Sequence, residues 1–148
     1  MPIRNYPFSI VAPDPTQRPM LWIKITNPAK NLSFIALALV DTGADDCLFP
    51  AQTAQQLGHN LTSVVPKEIG TAGNPTTAYP HTSRVDILEI RPDGTYGSKV
   101  LHTIPDTLID FAIDCECFLL GTKTFLNSFI LEIDYPRKVF SIVKPPKA

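Results

Sequence analysis

Long apolar runs are missing from this 148-residue chain. No stretch reaches the roughly 18 consecutive apolar residues that a membrane-spanning helix needs. Charge of one sign is missing as well: 13 Lys and Arg oppose 14 Asp and Glu, a formal net charge of -1. With no basic patch either, general attraction to nucleic acid or anionic lipid is disfavoured. Cysteine is scarce. Cys47, Cys115 and Cys117 are too few, and odd in number, for a disulfide framework. Cys115 and Cys117 would share one face of a strand. No second ligand cluster accompanies them, so buried, reduced core thiols are the expected reading, and no metal or other cofactor is expected. The stretch from Met1 to Met20 lacks an apolar segment of signal-peptide length, which predicts a cytoplasmic protein for the chain as given.

What is present fits one globular domain. Apolar residues make up 44% and charged residues 18%, ordinary proportions for a chain long enough to bury one core but short for two. Fifteen prolines interrupt any long helical pattern. The remaining segments are short and β-rich. Leu21 to Thr26 reads as a strand, and Phe34 to Val40 as a strand buried on both faces. Pro50 to Leu57 suits one or two helical turns ending at Gly58. Ile69 to Pro80 is turn-forming, Arg84 to Ile90 and Lys99 to Ile104 flank a hairpin turn at Pro92-Asp93-Gly94, and Phe111 to Leu120 is a further strand region. Thr124 to Phe129 fits a short helix, and Ile130 to Ile133 with Val139 to Val143 fits a hairpin. The expectation is a mainly β, mostly antiparallel domain over 20–144, closed or partly open as a barrel, with one or two short helices. Residues 1–19 are expected as an extended, proline-rich arm and 145–148 as a tail.

Chemistry concentrates at Asp41-Thr42-Gly43-Ala44. The apolar run Phe34 to Val40 delivers a carboxylate to a tight turn, where Gly43 allows backbone geometry that a side chain would obstruct and Thr42 supplies a bracing hydroxyl. Taken in isolation, Asp41 also fits an acid capping a turn. Asp45 and Asp46 fit solvated turn acids, and residues 70–80 fit a surface loop. His59, His81 and His102 join no serine or cysteine constellation and read as surface or loop residues.

The segment Ala38 to Asp46 resembles the active-site segment of the retroviral-type aspartic peptidases, the retropepsins. Phe118-Leu119-Leu120-Gly121 is similar to that family's second signature. Phe125 to Tyr135 resembles the ending of its cellular and bacterial members, and Ile69-Gly70-Thr71-Ala72-Gly73 stands where the family keeps a glycine-rich flap. The resemblance covers residues 20 to 143, in order. It implies a single acid-protease domain with Asp41, Thr42 and Gly43 as catalytic residues. It also implies substrate contacts from Ala44, Asp45, Asp46, Gly70, Thr71, Ala72 and Gly73.

An aspartic peptidase activates water between two carboxylates that share a proton, since like charges so close cannot both ionise. This chain carries no second Asp-Thr-Gly; Asp106-Thr107-Leu108 has leucine where the turn needs glycine. The expected unit is therefore a two-fold homodimer with Asp41 facing Asp41, each Thr42 reaching across the axis as the resemblance implies. The expected function is endopeptidase action on an extended peptide or unfolded protein, with no nucleic acid or membrane partner. The alternative is a non-catalytic dimerisation or peptide-binding module of the same fold. Ala44 offers the carboxylate no hydroxyl, so activity is expected nearer neutral pH than that of a gastric-type enzyme. One departure stands out: viral members place an arginine after the second glycine, pairing with the acid at the Asp45 position, whereas here Thr122 follows Gly121.

Overall fold

Alternating apolar side chains build most of the molecule. The computed structural model describes residues 1–70 and 75–147. Its strands are β1 (Ile3–Pro7), β2 (Met20–Asn27), β3 (Leu32–Val40), β4 (Leu48–Pro50), β5 (Lys67–Ile69), β6 (Thr76–Ile90), β7 (Tyr96–Ala112), β8 (Phe118–Leu120), β9 (Ile130–Asp134) and β10 (Val139–Val143). The helix α1 (Ala51–Gln56) follows β4 directly, and two single 3-10 turns cover Leu61–Ser63 and Leu126–Ser128. None of these helices is long and apolar enough to cross a membrane.

Six strands, in the order β2-β3-β8-β4-β7-β6, form a ring that β2 closes by pairing with β6, and β5 adds to β6 outside the ring. Most neighbours are antiparallel, but β3–β8 and β4–β7 are parallel. A separate three-stranded sheet, β1-β10-β9, joins the N-terminal segment to the C-terminal hairpin. Ile3 and Phe8 of that segment are buried in the main core with Phe140 and Ile142. Burial of side chains such as Phe49, Phe111, Phe125 and Ile23, each worth about 1.5–3 kcal/mol, is the chief favourable term.

Several local expectations need correction. In β3 only Ala36, Ala38 and Val40 are fully buried, and the alternate residues Ile35, Leu37 and Leu39 are half-buried, so one face is tighter than the other. The turn-forming stretch to Pro80 is strand from Thr76 onward, and the return strand extends to Ala112. Pro105 does not end β7, because it falls in a bulge: Ser83 pairs with Thr107 and Val85 with Ile104, so one extra residue sits on β7. A bulged residue leaves the ladder, where proline's missing N–H costs little. The strand expected over Phe111 to Leu120 is interrupted by a turn between β7 and β8. That turn carries both Cys115 and Cys117 as free thiols. Cys115 is half-buried and Cys117 exposed, and the Cys115 thiol donates to the Cys117 carbonyl at 2.8 Å. Cys47 alone is a core thiol, and burial pushes its pKa up to about 11, which keeps it protonated and inert.

The histidines also depart from a surface reading. His81 is buried on β6 and donates from Nε2 to the Leu61 carbonyl at 2.9 Å. His59 stacks on it, with ring centroids 4.8 Å apart, and shares a hydrogen bond with Ser83 Oγ. Burial, with the nearby positive groups of His81 and Lys30 adding to it, pushes the His59 pKa down from 6.5 to about 4. Between those values the unfolded chain binds more protons than the folded one, so stability rises with pH through that window and is complete above it. Calorimetric melting temperatures are therefore expected to fall as pH drops from 6.5 towards 4. His59→Asn should flatten that part of the profile, and an unchanged slope would contradict the assignment.

Candidate active site

Asp41 follows β3 directly, at the point where the strand leaves its parallel partner β8. Three neighbouring interactions hold the turn. The Gly43 N–H donates to Asp41 Oδ1 at 2.9 Å, the Asp41 N–H donates to the Leu120 carbonyl at 3.0 Å, and the Ala44 N–H donates to the Asp41 carbonyl at 3.3 Å. The glycine has a steric reason as well. A Cβ at position 43 would stand 3.3 Å from Asp41 Oδ1, crowding the oxygen that the amide binds. Gly43 thus matters for close approach of the carboxylate.

The second half of the scaffold comes from the segment after β8. The Thr122 N–H donates to the Ala44 carbonyl at 2.9 Å and the Lys123 N–H to the Asp45 carbonyl at 2.7 Å. The Thr122 Oγ1 also donates to the Asp45 carbonyl, at 3.3 Å. The Asp45 carboxylate gains no cation, since the ion pairs among the described residues are Arg18–Asp14, Lys67–Asp110 and Arg137–Asp134. Gly121 lies so close beneath the turn that a Cβ there would collide with the Asp46 carbonyl and approach the Ala44 carbonyl to 2.8 Å. Two short segments far apart in sequence are thereby locked into one unit. The helix expected over Thr124 to Phe129 is reduced to the single 3-10 turn Leu126–Ser128, which closes against the same loop through the Leu126 N–H and the Gly121 carbonyl at 3.1 Å.

A cleft of about 640 Å³ opens over this unit. Asp41, Gly43, Ala44, Asp45, Asp46 and Gly70 all line it, so residues from the turn and from the end of β5 meet across one space. Thr42 is exposed beside the cleft rather than among its walls. Thr71, Ala72 and Gly73 lie outside the described residues. Lys67, Glu68 and Ile69 of β5 line the same cleft as Asp41, and β5 is held there by antiparallel pairing with β6, Lys67 opposite Ala78 and Ile69 opposite Thr76.

Six cleft residues were not among the site residues expected from the sequence: Leu48, Lys67, Glu68, Ile69, Asp110 and Leu119. Only Asp110 left a detectable signal, an acid between Ile109 and Phe111 within an otherwise apolar strand end. It is buried, and Lys67 Nζ lies 2.8 Å from its Oδ2.

No protein-family profile matches the sequence, and no curated protein matches it. Among solved structures, the chain is similar to a retropepsin-like aspartic protease from Rickettsia conorii, with a TM-score of 0.56 and 20% sequence identity over 94% of this chain and 98% of that one. Likeness of that extent is a likeness of architecture, and with the six-stranded ring and the turn at its mouth it establishes a retropepsin-like acid-protease fold for this single, mainly β domain.

Proposed function

We propose that the chain is an aspartic endopeptidase whose catalytic pair is formed by Asp41 from each of two copies. The observation that carries this reading is the Asp41 carboxylate itself. It stands at the mouth of a 640 Å³ cleft, held at 2.9 Å by the Gly43 amide on a turn that two separate segments brace. A rigidly mounted, half-exposed carboxylate facing a cleft is what water activation requires.

The chemistry follows from pairing. Two Asp41 carboxylates on a two-fold axis would share one proton and titrate together. One accepts a proton from the water as it attacks the scissile carbonyl, while the other donates to the carbonyl oxygen. The proton then passes to the leaving amine. Exposed Thr42 is assigned the contact across the axis. Substrate lies extended between the turn and β5, with Gly70 and the neighbouring Thr71, Ala72 and Gly73 as its upper contacts and Ala44, Asp45 and Asp46 as its lower ones.

A shared dyad makes activity depend on concentration. On dilution through the dimer dissociation constant, specific activity towards an unfolded protein substrate should fall in parallel with the dimer fraction measured by sedimentation. Pepstatin, a transition-state mimic, should inhibit it. Cleavage by a strict monomer, or cleavage that pepstatin leaves untouched, would contradict the proposal.

A further inference from the structure

The cleft contains an ion pair that the peptidase reading does not use. Asp110 on β7 pairs across the sheet with Leu48 of β4 and Pro80 of β6, and Leu48 pairs in turn with Leu119 of β8. Directly opposite residues on adjoining strands project to the same face. Leu119, Leu48 and Asp110 therefore form one row across the floor, and all three line the cleft. Two positions of the row are apolar and the third is a carboxylate.

Asp110 is the only buried acid among the described residues. A carboxylate held from water needs a cation beside it, and Lys67 supplies one at 2.8 Å. The partners differ in freedom. The Asp110 side chain is 5% exposed and sits in the ring, whereas the Lys67 side chain is 48% exposed on the three-residue strand β5, which among the described residues pairs only with β6. Lysine exchanges this partner for water readily, because its ammonium is strongly hydrated on a flexible stem. Asp110 has no such exchange. The other charged groups on the cleft wall, Asp45, Asp46 and Glu68 beside Asp41, are all acids.

Resting on the peptidase reading, we propose that Asp110 is a specificity-determining residue that receives a lysine or arginine side chain of the substrate. The substrate cation replaces Lys67 as its partner. The aliphatic stem of that side chain packs on Leu48, Leu119 and Ile69 while its charged end reaches the carboxylate. Acidic side chains are excluded from the same subsite by like charge. The preferred substrates are thus extended peptides with a basic residue at one position near the scissile bond.

The test measures binding, so it does not depend on turnover. Peptides carrying a reduced amide in place of the scissile bond, with lysine, norleucine or glutamate at each flanking position, are titrated calorimetrically into the wild-type chain, Asp110→Asn and Lys67→Met. At one position lysine should bind about tenfold tighter than norleucine, as expected for a charge-assisted contact, and glutamate more weakly than either. Asp110→Asn should erase the lysine advantage, and Lys67→Met should enlarge it by removing the competitor. If the pair only latches β5 to the floor, both variants would weaken every peptide alike, and the inference fails. Binding without a lysine advantage at any position also overturns it, leaving the peptidase reading intact. Binding of no peptide at all overturns both, and cleavage of the parent amides reports on the peptidase reading separately.

Discussion

Asp41→Asn is expected to abolish peptide cleavage while leaving the fold in place. Asparagine keeps an acceptor for the Gly43 N–H, the side-chain hydrogen bond that Asp41 makes in this turn. It cannot take a proton from water. Positioned general acid–base groups contribute about 10²- to 10⁴-fold, so kcat/KM should fall by about 10³-fold or more, equivalent to roughly 4 kcal/mol of transition-state stabilisation. Melting temperature should hardly move, because the residue is only half-buried and no apolar packing is lost. The shared dyad adds a sharper expectation. Excess Asp41→Asn chain mixed with wild type should suppress wild-type activity, since mixed dimers carry one competent carboxylate. Full activity in the variant would refute the assignment, and failure to suppress would refute the sharing of the dyad.

The second large effect concerns stability. Gly121→Ala places a methyl group onto the Asp46 and Ala44 carbonyls, both backbone atoms that no rotamer change can move. Relief demands that the turn and the segment after β8 part. This strains the hydrogen bonds from Thr122 to Ala44 and from Lys123 to Asp45. Overpacking of a tight site costs about 1–3 kcal/mol, occasionally more. For a chain of this length the upper part of that range lowers the melting temperature by roughly 10 °C. Activity should fall further than stability explains, because the displaced backbone is the mount of Asp41. For the melting temperature Gly70→Ala is the control, since a Cβ there meets nothing within 4 Å among the described residues. Equal melting temperatures for Gly121→Ala and wild type would show that the close approach is not rigid.

Asp41-Thr42-Gly43 stood out because its geometry is local: an apolar strand, a turn and a glycine are all encoded within a few adjacent residues. Gly121 was also legible, as a glycine ending an apolar strand, although the carbonyls it makes room for lie far back in the chain. The long strands β6 and β7 extend beyond the expected ones, β6 back into the stretch expected as turn-forming and β7 on past Pro105. In the fold Pro105 occupies a bulge. Pro80 falls between the part of β6 that pairs with β5 and the part that pairs with β2. The histidines show the same limit, for nothing near His81 in sequence announces that His59 and Leu61 will cover it.

The sequence by itself determined the β-rich composition, the single acid turn after an apolar strand and the alternation that sorts side chains between two faces. Alternation says which residues share a face, but it carries no record of which strand lies alongside. Closure of the ring by β2 and β6, the parallel placement of β8 beside β3, and the row Leu119–Leu48–Asp110 were decided only by tertiary pairing. That pairing buried the Asp110 carboxylate and set Lys67 against it, turning an unremarkable acid in an apolar strand into the most distinctive charge of the cleft. The physical reason is that the cost of burying a charge, unlike the turn around Asp41, depends on every strand that surrounds it.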